Sequence, residues 1–174
     1  MTANKPRVGV SRCLLGDPVR YDGRSKACRI VIEQLAAQFE LIAICPEVEA
    51  GLPVPRPPVQ LTGNPQQPRL LGRDDASIDV TDTLITYCQR RIPRLDTLHG
   101  FIFKSRSPSC GLGTTPVFEP AGRCLTETAS GVFAQAFCER YPEVPLIDDI
   151  GLGCEPQLGR FLDRVWQHHA NSEH

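Results

Sequence analysis

The sequence has no CxxC pair, although it contains eight cysteines in 174 residues. Compact zinc modules and ferredoxin-type sites usually carry that spacing, so its absence excludes the commonest small metal motifs. The histidines form no compact metal motif either. His99 stands alone, and we expect the other three to belong to a solvated C-terminal tail: His168, His169 and His174.

The sequence also lacks long apolar runs and any large excess of charge. Its opening stretch, "MTANKPRVGVSRCLLG", contains no apolar segment typical of a signal peptide, and no run elsewhere is long enough to span a bilayer. The formal net charge is −1, which gives no strong attraction to anionic polymers or surfaces. We therefore expect a cytoplasmic protein whose partners include neither a membrane nor a nucleic-acid polymer.

What is present is a globular composition, with 41% apolar and 22% charged residues. A chain of this length can bury one ordinary core. Since no internal repeat or break in composition divides it, we predict a single domain over residues 1–174.

Four short, nearly continuous apolar runs indicate parallel strands that are covered on both faces. They are Arg7–Ser11, Phe39–Ile44, Gly100–Lys104 and Val144–Asp148. Helical patterns follow them at residues 28–39, 81–98, 129–141 and 155–170. This alternation predicts a three-layer, Rossmann-like α/β domain with a parallel sheet of at least four strands.

Local signals refine this prediction. Thr81 or Asp82 can cap the second helix, Pro93 should break it, and Pro156 suits the first turn of the last helix. The stretch Cys45–Ala76 holds seven prolines, so we expect a long irregular segment there, with Thr62–Arg69 as a surface excursion.

Three cysteines follow three of the predicted strands: Cys13, Cys45 and Cys110. Ligands of open parallel α/β sheets bind outside the carboxyl ends of the strands, so these thiols can converge. Three thiolates suit a soft metal centre, either zinc or an iron–sulfur cluster. In a reducing compartment a disulfide framework is not expected. For the other cysteines we expect plain packing, without an assigned role: Cys28, Cys88, Cys124, Cys138 and Cys154.

The phrases around the three cysteines carry a further signal. The stretches "VGVSRCLLGDPVRYDGRSK", "CPEVEAGLPVPRPPVQL" and "GFIFKSRSPSCG" closely resemble three motifs of the DUF523 family, in the same order. That family includes thiouracil desulfidases. The chain departs from the family pattern at Gln60 and in the stretch "CLTETASGVFA", which bears on the substrate more than on the cluster.

The resemblance implies a single DUF523-like catalytic domain with a [4Fe-4S] cluster that Cys13, Cys45 and Cys110 hold. Three protein ligands would leave one iron open as a Lewis acid for a soft thiocarbonyl sulfur. The implied reaction is hydrolytic: water replaces sulfur on a thiolated uracil, such as 2- or 4-thiouracil or a related base, and hydrogen sulfide is released.

Four further residues complete the predicted site. Glu47 lies two positions after Cys45, where its side chain can point to the same side, and we interpret it as the general base. Ser107 is a catalytic candidate, Ser109 a substrate-orienting one, and Tyr21 could stack on the base. Each also has a structural alternative: Glu47 as a loop acid or helix cap, and the serines as hydrogen-bond partners within a turn.

Two other functions remain compatible with the same cysteines. One is a zinc-dependent hydrolase. The other is a non-catalytic module that senses metal or redox state through its cluster, and such a module would not need a base at Glu47.

Overall fold

The computed structural model describes residues 4–174. Its main sheet has four parallel strands in the order β2-β1-β5-β8. These strands are β1 (Arg7–Ser11), β2 (Glu40–Ile44), β5 (Gly100–Phe103) and β8 (Leu146–Asp148). All four strands predicted from the apolar runs are therefore present, each within two residues of the expected ends.

Helices cover both faces of this sheet. The bounds are α1 (Ala36–Gln38), α2 (Pro46–Glu49), α3 (Thr81–Arg91), α4 (Val132–Arg140), α5 (Asp149–Leu152) and α6 (Glu155–Ser172). A π-helical segment, Ile30–Leu35, leads directly into α1. The π-helical segment and α6 pack on one face, and α3 and α4 pack on the other. The predicted three-layer, Rossmann-like α/β architecture is thus confirmed.

Side chains that alternate along β5 pack into the apolar clusters on the two faces of the main sheet. Phe101 and Phe103 face α3 and α4, with their rings stacked at 4.2 Å between centroids. Ile102, between them, faces the π-helical segment and α6. Gly9 on the neighbouring strand accommodates the large rings, because a Cβ atom there would lie 2.5 Å from Phe101.

A second sheet corrects the expectation of a long irregular segment. Its order is β4-β3-β6-β7, with strands β3 (Val59–Thr62), β4 (Arg69–Gly72), β6 (Thr115–Phe118) and β7 (Cys124–Ala129). In the proline-rich stretch, β3 and β4 have only four residues each. Their few apolar side chains form a pattern too weak to identify a strand. Leu61, Leu70 and Val117 pack against Leu84 of α3, so this sheet is an extension of the same core. The predicted excursion at Thr62–Arg69 is the connection between β3 and β4.

The helix signals had mixed outcomes. The helix α3 ends at Arg91, just before Pro93, and Pro156 lies in the first turn of α6, as predicted. The predicted cap is wrong, because the residue at the N-cap of α3 is Val80. Thr81 uses its hydroxyl instead to donate to Asp79 (2.6 Å) and to accept from the Leu70 N–H (2.8 Å).

The expected solvated histidine tail is wrong for His169 and in part for the half-buried His168, whereas His174 is exposed. Helix α6 continues to Ser172, and His169 is buried against His99, with 3.4 Å between Nδ1 of His169 and Nε2 of His99. In the part of the chain that the structure describes, no helix is both long and apolar enough to cross a membrane.

Candidate active site

The loops that follow β1, β2 and β5 meet at the carboxyl end of the main sheet and enclose a cavity of about 440 Å³. Cys13, Cys45 and Cys110 all line this cavity. The sequence predicted that these three residues would converge, and the structure places them together. The same wall includes three more of the predicted site residues: Tyr21, Glu47 and Ser107.

Short turns after each strand fix the positions of the cysteines. Cys13 lies in a 3₁₀ turn, Arg12–Leu15, and its carbonyl accepts hydrogen bonds from the N–H groups of Gly16 (3.2 Å) and Lys26 (3.0 Å). Cys45 is the N-cap residue of α2 and donates its N–H to Oε2 of Glu49 at 2.8 Å. These bonds hold the backbone of each cysteine still relative to its strand.

The third cysteine is held by a turn that the serines build. Ser107 accepts hydrogen bonds on Oγ from the N–H groups of Ser109 (3.2 Å) and Cys110 (3.0 Å). Since both bonds are accepted, the hydroxyl proton of Ser107 is left to donate into the cavity. Ser107 therefore has both features that the sequence analysis offered as alternatives: it forms the turn, and its hydroxyl lies at the cavity wall.

Burial raises the pKa of all three thiols above its ordinary value. Desolvation raises the pKa of Cys13 to about 11, and Lys104 and Arg20 only partly oppose the rise. It also raises the pKa of Cys45, and raises that of Cys110 well above its usual value. The charges of Cys45 and Cys13 raise the pKa of Cys110 further. Such a group of buried thiols becomes a set of thiolates only when a positive centre stabilises them.

Ser11, the last residue of β1, supports Cys110 from behind. Its buried hydroxyl accepts the N–H of Lys104 at 2.9 Å, and its polar side chain opposes part of the rise that burial causes in the pKa of Cys110. Hydrogen bonds to cysteine sulfur are one of the ways in which proteins tune metal–thiolate centres. Sequence analysis did not identify Ser11, since a serine at a strand end has no distinctive spacing.

Within residues 4–174, no three His, Cys, Asp or Glu side chains lie close enough together to hold a single metal ion. Three thiolates on one zinc would have to lie within about 4 Å of each other, because each Zn–S bond is about 2.3 Å. A cluster of four irons is larger than one ion, so its cysteine sulfurs stand farther apart. The two kinds of centre therefore need different spacings of the cysteine sulfurs.

Glu47 lies between two donors. Arg56 donates from Nε to Oε1 at 3.1 Å, and Ser109 donates from Oγ to Oε2 at 3.1 Å. Ser109 is only 1% exposed. The sequence analysis assigned it to substrate orientation, but the structure places its hydroxyl on Glu47. Arg56 was missed because nothing in a proline-rich segment marks one arginine as different from its neighbours.

Tyr21 lines the cavity at its rim, and the guanidinium groups of Arg20 and Arg73 lie 5.8 and 6.0 Å from its ring centroid. Cationic side chains outnumber carboxylates in the wall of the cavity. It contains one carboxylate, Glu47, and seven cationic side chains: Arg12, Arg20, Lys26, Arg56, Arg73, Lys104 and Arg106. Five of these seven pair with an Asp or Glu, so the net positive charge at the cavity is smaller than their number.

The remaining five cysteines do not line the cavity. Cys88 is buried, while Cys28, Cys138 and Cys154 are half-buried, which agrees with the expectation of packing. Cys124 is an exception. It is exposed at the start of β7 and not packed as expected.

The fold and the cavity define the class: a Rossmann-like α/β domain with a cysteine-lined cavity at the carboxyl end of its parallel sheet. Comparison with known proteins identifies the family to which the chain belongs. The 2-thiouracil desulfurase family model matches residues 8–149. The chain belongs to this family, and the predictions of the DUF523-type family and of an enzyme are confirmed.

Two similar proteins extend the comparison. The chain is 30% identical over 110 residues to YbbK, an uncharacterized protein of Bacillus subtilis (strain 168), which covers 60% of this chain and 72% of YbbK. It is also similar to the solved structure of the [4Fe-4S]-dependent thiouracil desulfidase TudS (DUF523Vcz). That match has a TM-score of 0.70 and 29% identity, and it covers 91% of this chain and 99% of the other.

Proposed function

We propose that this protein removes sulfur from a thiolated uracil by hydrolysis, using a [4Fe-4S] cluster that Cys13, Cys45 and Cys110 hold. The observation that carries the proposal is the shared cavity: three thiols and one held carboxylate line it at the end of the parallel sheet. Membership of the 2-thiouracil desulfurase family supports it, as does the likeness to a [4Fe-4S]-dependent desulfidase.

The residues of the cavity fit such a cluster. Cys110 is buried, Cys13 and Cys45 are half-buried, and all three line one cavity whose wall also contains cationic side chains. When bound, a cluster with three protein ligands supplies one iron with an open position, a Lewis acid that suits the soft sulfur of a thiocarbonyl. Every other step of the reaction belongs to the side chains around it.

Glu47 accepts the proton of the attacking water. Its carboxylate reaches the cavity wall that contains Cys45, and its two oxygens are held by Arg56 and Ser109. Fixing a base in this way increases the fraction of time it spends in the reactive geometry. The carbon of the thiocarbonyl gains an oxygen from water, and the carbon–sulfur bond breaks. Sulfur leaves as hydrogen sulfide, with no net transfer of electrons.

Ser107 and Tyr21 act on the substrate. With both lone pairs of Ser107 engaged by backbone N–H groups, its hydroxyl proton is directed to a polar atom of the pyrimidine or to the departing sulfur. The ring of Tyr21 supplies a flat surface at the cavity rim for the base. Ser109 is better assigned to Glu47 than to the substrate, because it is buried behind the carboxylate.

The two alternatives fit the cavity less well. A single zinc needs at least three ligands grouped around one ion, and among residues 4–174 no such group of His, Cys, Asp or Glu side chains is found. A sensor needs no carboxylate at the cavity wall, yet Glu47 is held there by an ion pair.

An anaerobic assay tests the proposal. Protein with a reconstituted cluster is incubated with 2-thiouracil, with 4-thiouracil and with the corresponding nucleosides. We expect sulfide and the oxygenated pyrimidine to appear in equal amounts for at least one of them. Cluster-loaded protein that releases sulfide from none of them would contradict the proposal.

A further inference from the structure

The carboxylate of Glu47 is held by a residue that the sequence analysis did not identify. Arg56 follows the bend that precedes β3, and its side chain is only 6% exposed. It forms its one ion pair within the described chain with Glu47. A buried guanidinium is costly unless it is paired and hydrogen-bonded, so this arrangement is a built feature of the site.

The guanidinium uses a separate atom for each neighbour. Nε donates to Oε1 of Glu47 at 3.1 Å, Nη1 donates to the Pro53 carbonyl at 3.2 Å, and Nη2 donates to the Val19 carbonyl at 3.0 Å. The backbone N–H of Arg56 donates to the Tyr21 carbonyl at 2.8 Å. One residue therefore ties the loop that follows β1 to the helix that carries Glu47.

The other arginines of the cavity differ from Arg56. Arg12 pairs with Asp17, and Arg73 pairs with Asp74, each a close neighbour in sequence and partly exposed. Neither bonds a candidate catalytic group. Arg56 alone among the arginines of the cavity wall connects two of its loops through a candidate base.

We propose that Arg56 is a positioning residue for the desulfidation reaction: it fixes the orientation of the Glu47 carboxylate toward the cavity. This inference rests on the proposed function. Because three of its donors are fixed by Glu47, Pro53 and Val19, Arg56 acts through Glu47 and not on the reacting atoms. Losing it frees the carboxylate to rotate, and a displacement of about 1 Å can reduce a rate by about 100-fold.

The first test is chemical rescue. In Arg56→Ala we expect kcat to fall by about 100-fold, with KM within about threefold of the wild-type value. Guanidinium chloride at low millimolar concentration should raise the kcat of Arg56→Ala by about tenfold, because the free cation can occupy the vacated space beside Glu47. Sodium chloride at equal concentration should restore nothing. Iron and acid-labile sulfide are counted in every sample.

Two control variants make the rescue specific. Guanidinium should have no effect on kcat in Glu47→Gln/Arg56→Ala, because the carboxylate that would bind it is gone. It should also have no effect in Arg73→Ala, which removes another arginine of the cavity wall. Rescue in either control, or a kcat of Arg56→Ala within threefold of wild type, would overturn the inference.

A second measurement does not need the cluster. Urea unfolding of the iron-free protein should show a lower midpoint for Arg56→Ala, since it leaves the Glu47 charge buried and unpaired. The double variant Glu47→Gln/Arg56→Ala should recover part of that loss. Effects that simply add would show that the two side chains are not coupled, and would contradict the inference.

The Arg56→Lys variant covers the case in which Arg56→Ala does not fold. Lysine keeps the charge but cannot form the three-pronged set of hydrogen bonds. We expect kcat to fall by about tenfold at unchanged iron content, and a wild-type kcat would overturn the inference. If instead the loaded wild-type protein releases no sulfide, the proposed function fails while the unfolding measurement still tests the Arg56–Glu47 pair.

Discussion

The carboxylate of Glu47 lies between Arg56 and the hydroxyl of Ser109, at 3.1 Å from each, in an ion pair whose side chains are 14% and 6% exposed. The two donors come from different loops of the cavity, so the carboxylate is fixed from two directions. This relationship separates Glu47 from an ordinary loop acid. It leads to the first prediction.

Replacing Glu47 with Gln should leave the cluster in place and abolish turnover. The amide keeps the shape of the side chain but cannot accept the proton of water, so we expect kcat to fall by at least about 100-fold. Sulfide release and visible absorption are measured on the same anaerobic sample. Glu33→Gln is the control, because Glu33 pairs with Arg29 and does not line the cavity. If Glu47→Gln retains the wild-type rate, Glu47 is not the base.

Replacing Cys13, Cys45 or Cys110 with Ser should each remove the cluster. Hydroxyl oxygen is a poor ligand for iron–sulfur centres, and the other two cysteines cannot hold the cluster alone. Iron and acid-labile sulfide per chain, counted after anaerobic reconstitution, should fall severalfold in each variant. Cys124→Ser is the control, since Cys124 is exposed on β7, outside the cavity. Full loading of any of the three variants would remove that cysteine from the ligand set.

A chain of hydrogen bonds at the opposite end of the sheet predicts a loss of stability in mild acid. The Arg7 N–H donates to Nδ1 of His99 (2.9 Å), Nε2 of His99 lies 3.4 Å from Nδ1 of His169, and Nε2 of His169 lies 2.9 Å from the Asn4 carbonyl. With both rings neutral and protonated on Nε2, each contact pairs a donor with an acceptor. If His99 takes up a second proton, its Nδ1 becomes an N–H group that faces the N–H of Arg7. The hydrogen bond between them is then lost.

The sign of the effect follows from the pKa of His99, which burial lowers from its ordinary value of 6.5, with the neighbouring histidines lowering it further. The unfolded chain then binds more protons than the folded one, so stability is present above pH 6.5 and is lost as the pH falls below it. Urea midpoints of the iron-free protein between pH 8 and pH 5 measure this loss. His99→Gln should flatten the profile, and an unchanged slope in that variant would contradict the assignment.

Two glycines offer a matched pair of stability tests. Gly9→Ala should destabilise the fold by about 1–3 kcal/mol, because the added Cβ would lie 2.5 Å from the Phe101 ring in a packed core. Gly159 lies within α6 with open space around it, so Gly159→Ala should stabilise the fold by about 0.5–1 kcal/mol. Urea unfolding measures both. Equal effects of the two substitutions would show that the close approach at Gly9 does not constrain the sheet.

The sequence predicted the parts of this protein that depend on local patterns. Cys45 directly follows a recognisable apolar strand and Cys13 lies two residues after another, and parallel strands present their ends at one edge of a sheet. That rule was sufficient to predict that the cysteines lie close together. The three-layer architecture followed from the alternation of strands and helices for the same reason.

The parts that were missed depend on contacts between segments. Strands β3 and β4 are four residues long and lie among prolines, so their pairing partners, not their own patterns, define them. The role of Arg56 depends on the positions of Val19 and Glu47, which only the folded chain brings together. Ser109 differs from Ser107 by the direction of one side chain, which the sequence does not encode locally.

The most direct test of the central claim is the sulfide released from a thiolated uracil as a function of cluster content. Samples reconstituted to different iron loadings are assayed without air and without an electron donor. The account predicts release proportional to the number of clusters, matched by equal amounts of the oxygenated base, and none after iron is removed. Equal release by loaded and iron-free protein, or a requirement for added electrons, would contradict it.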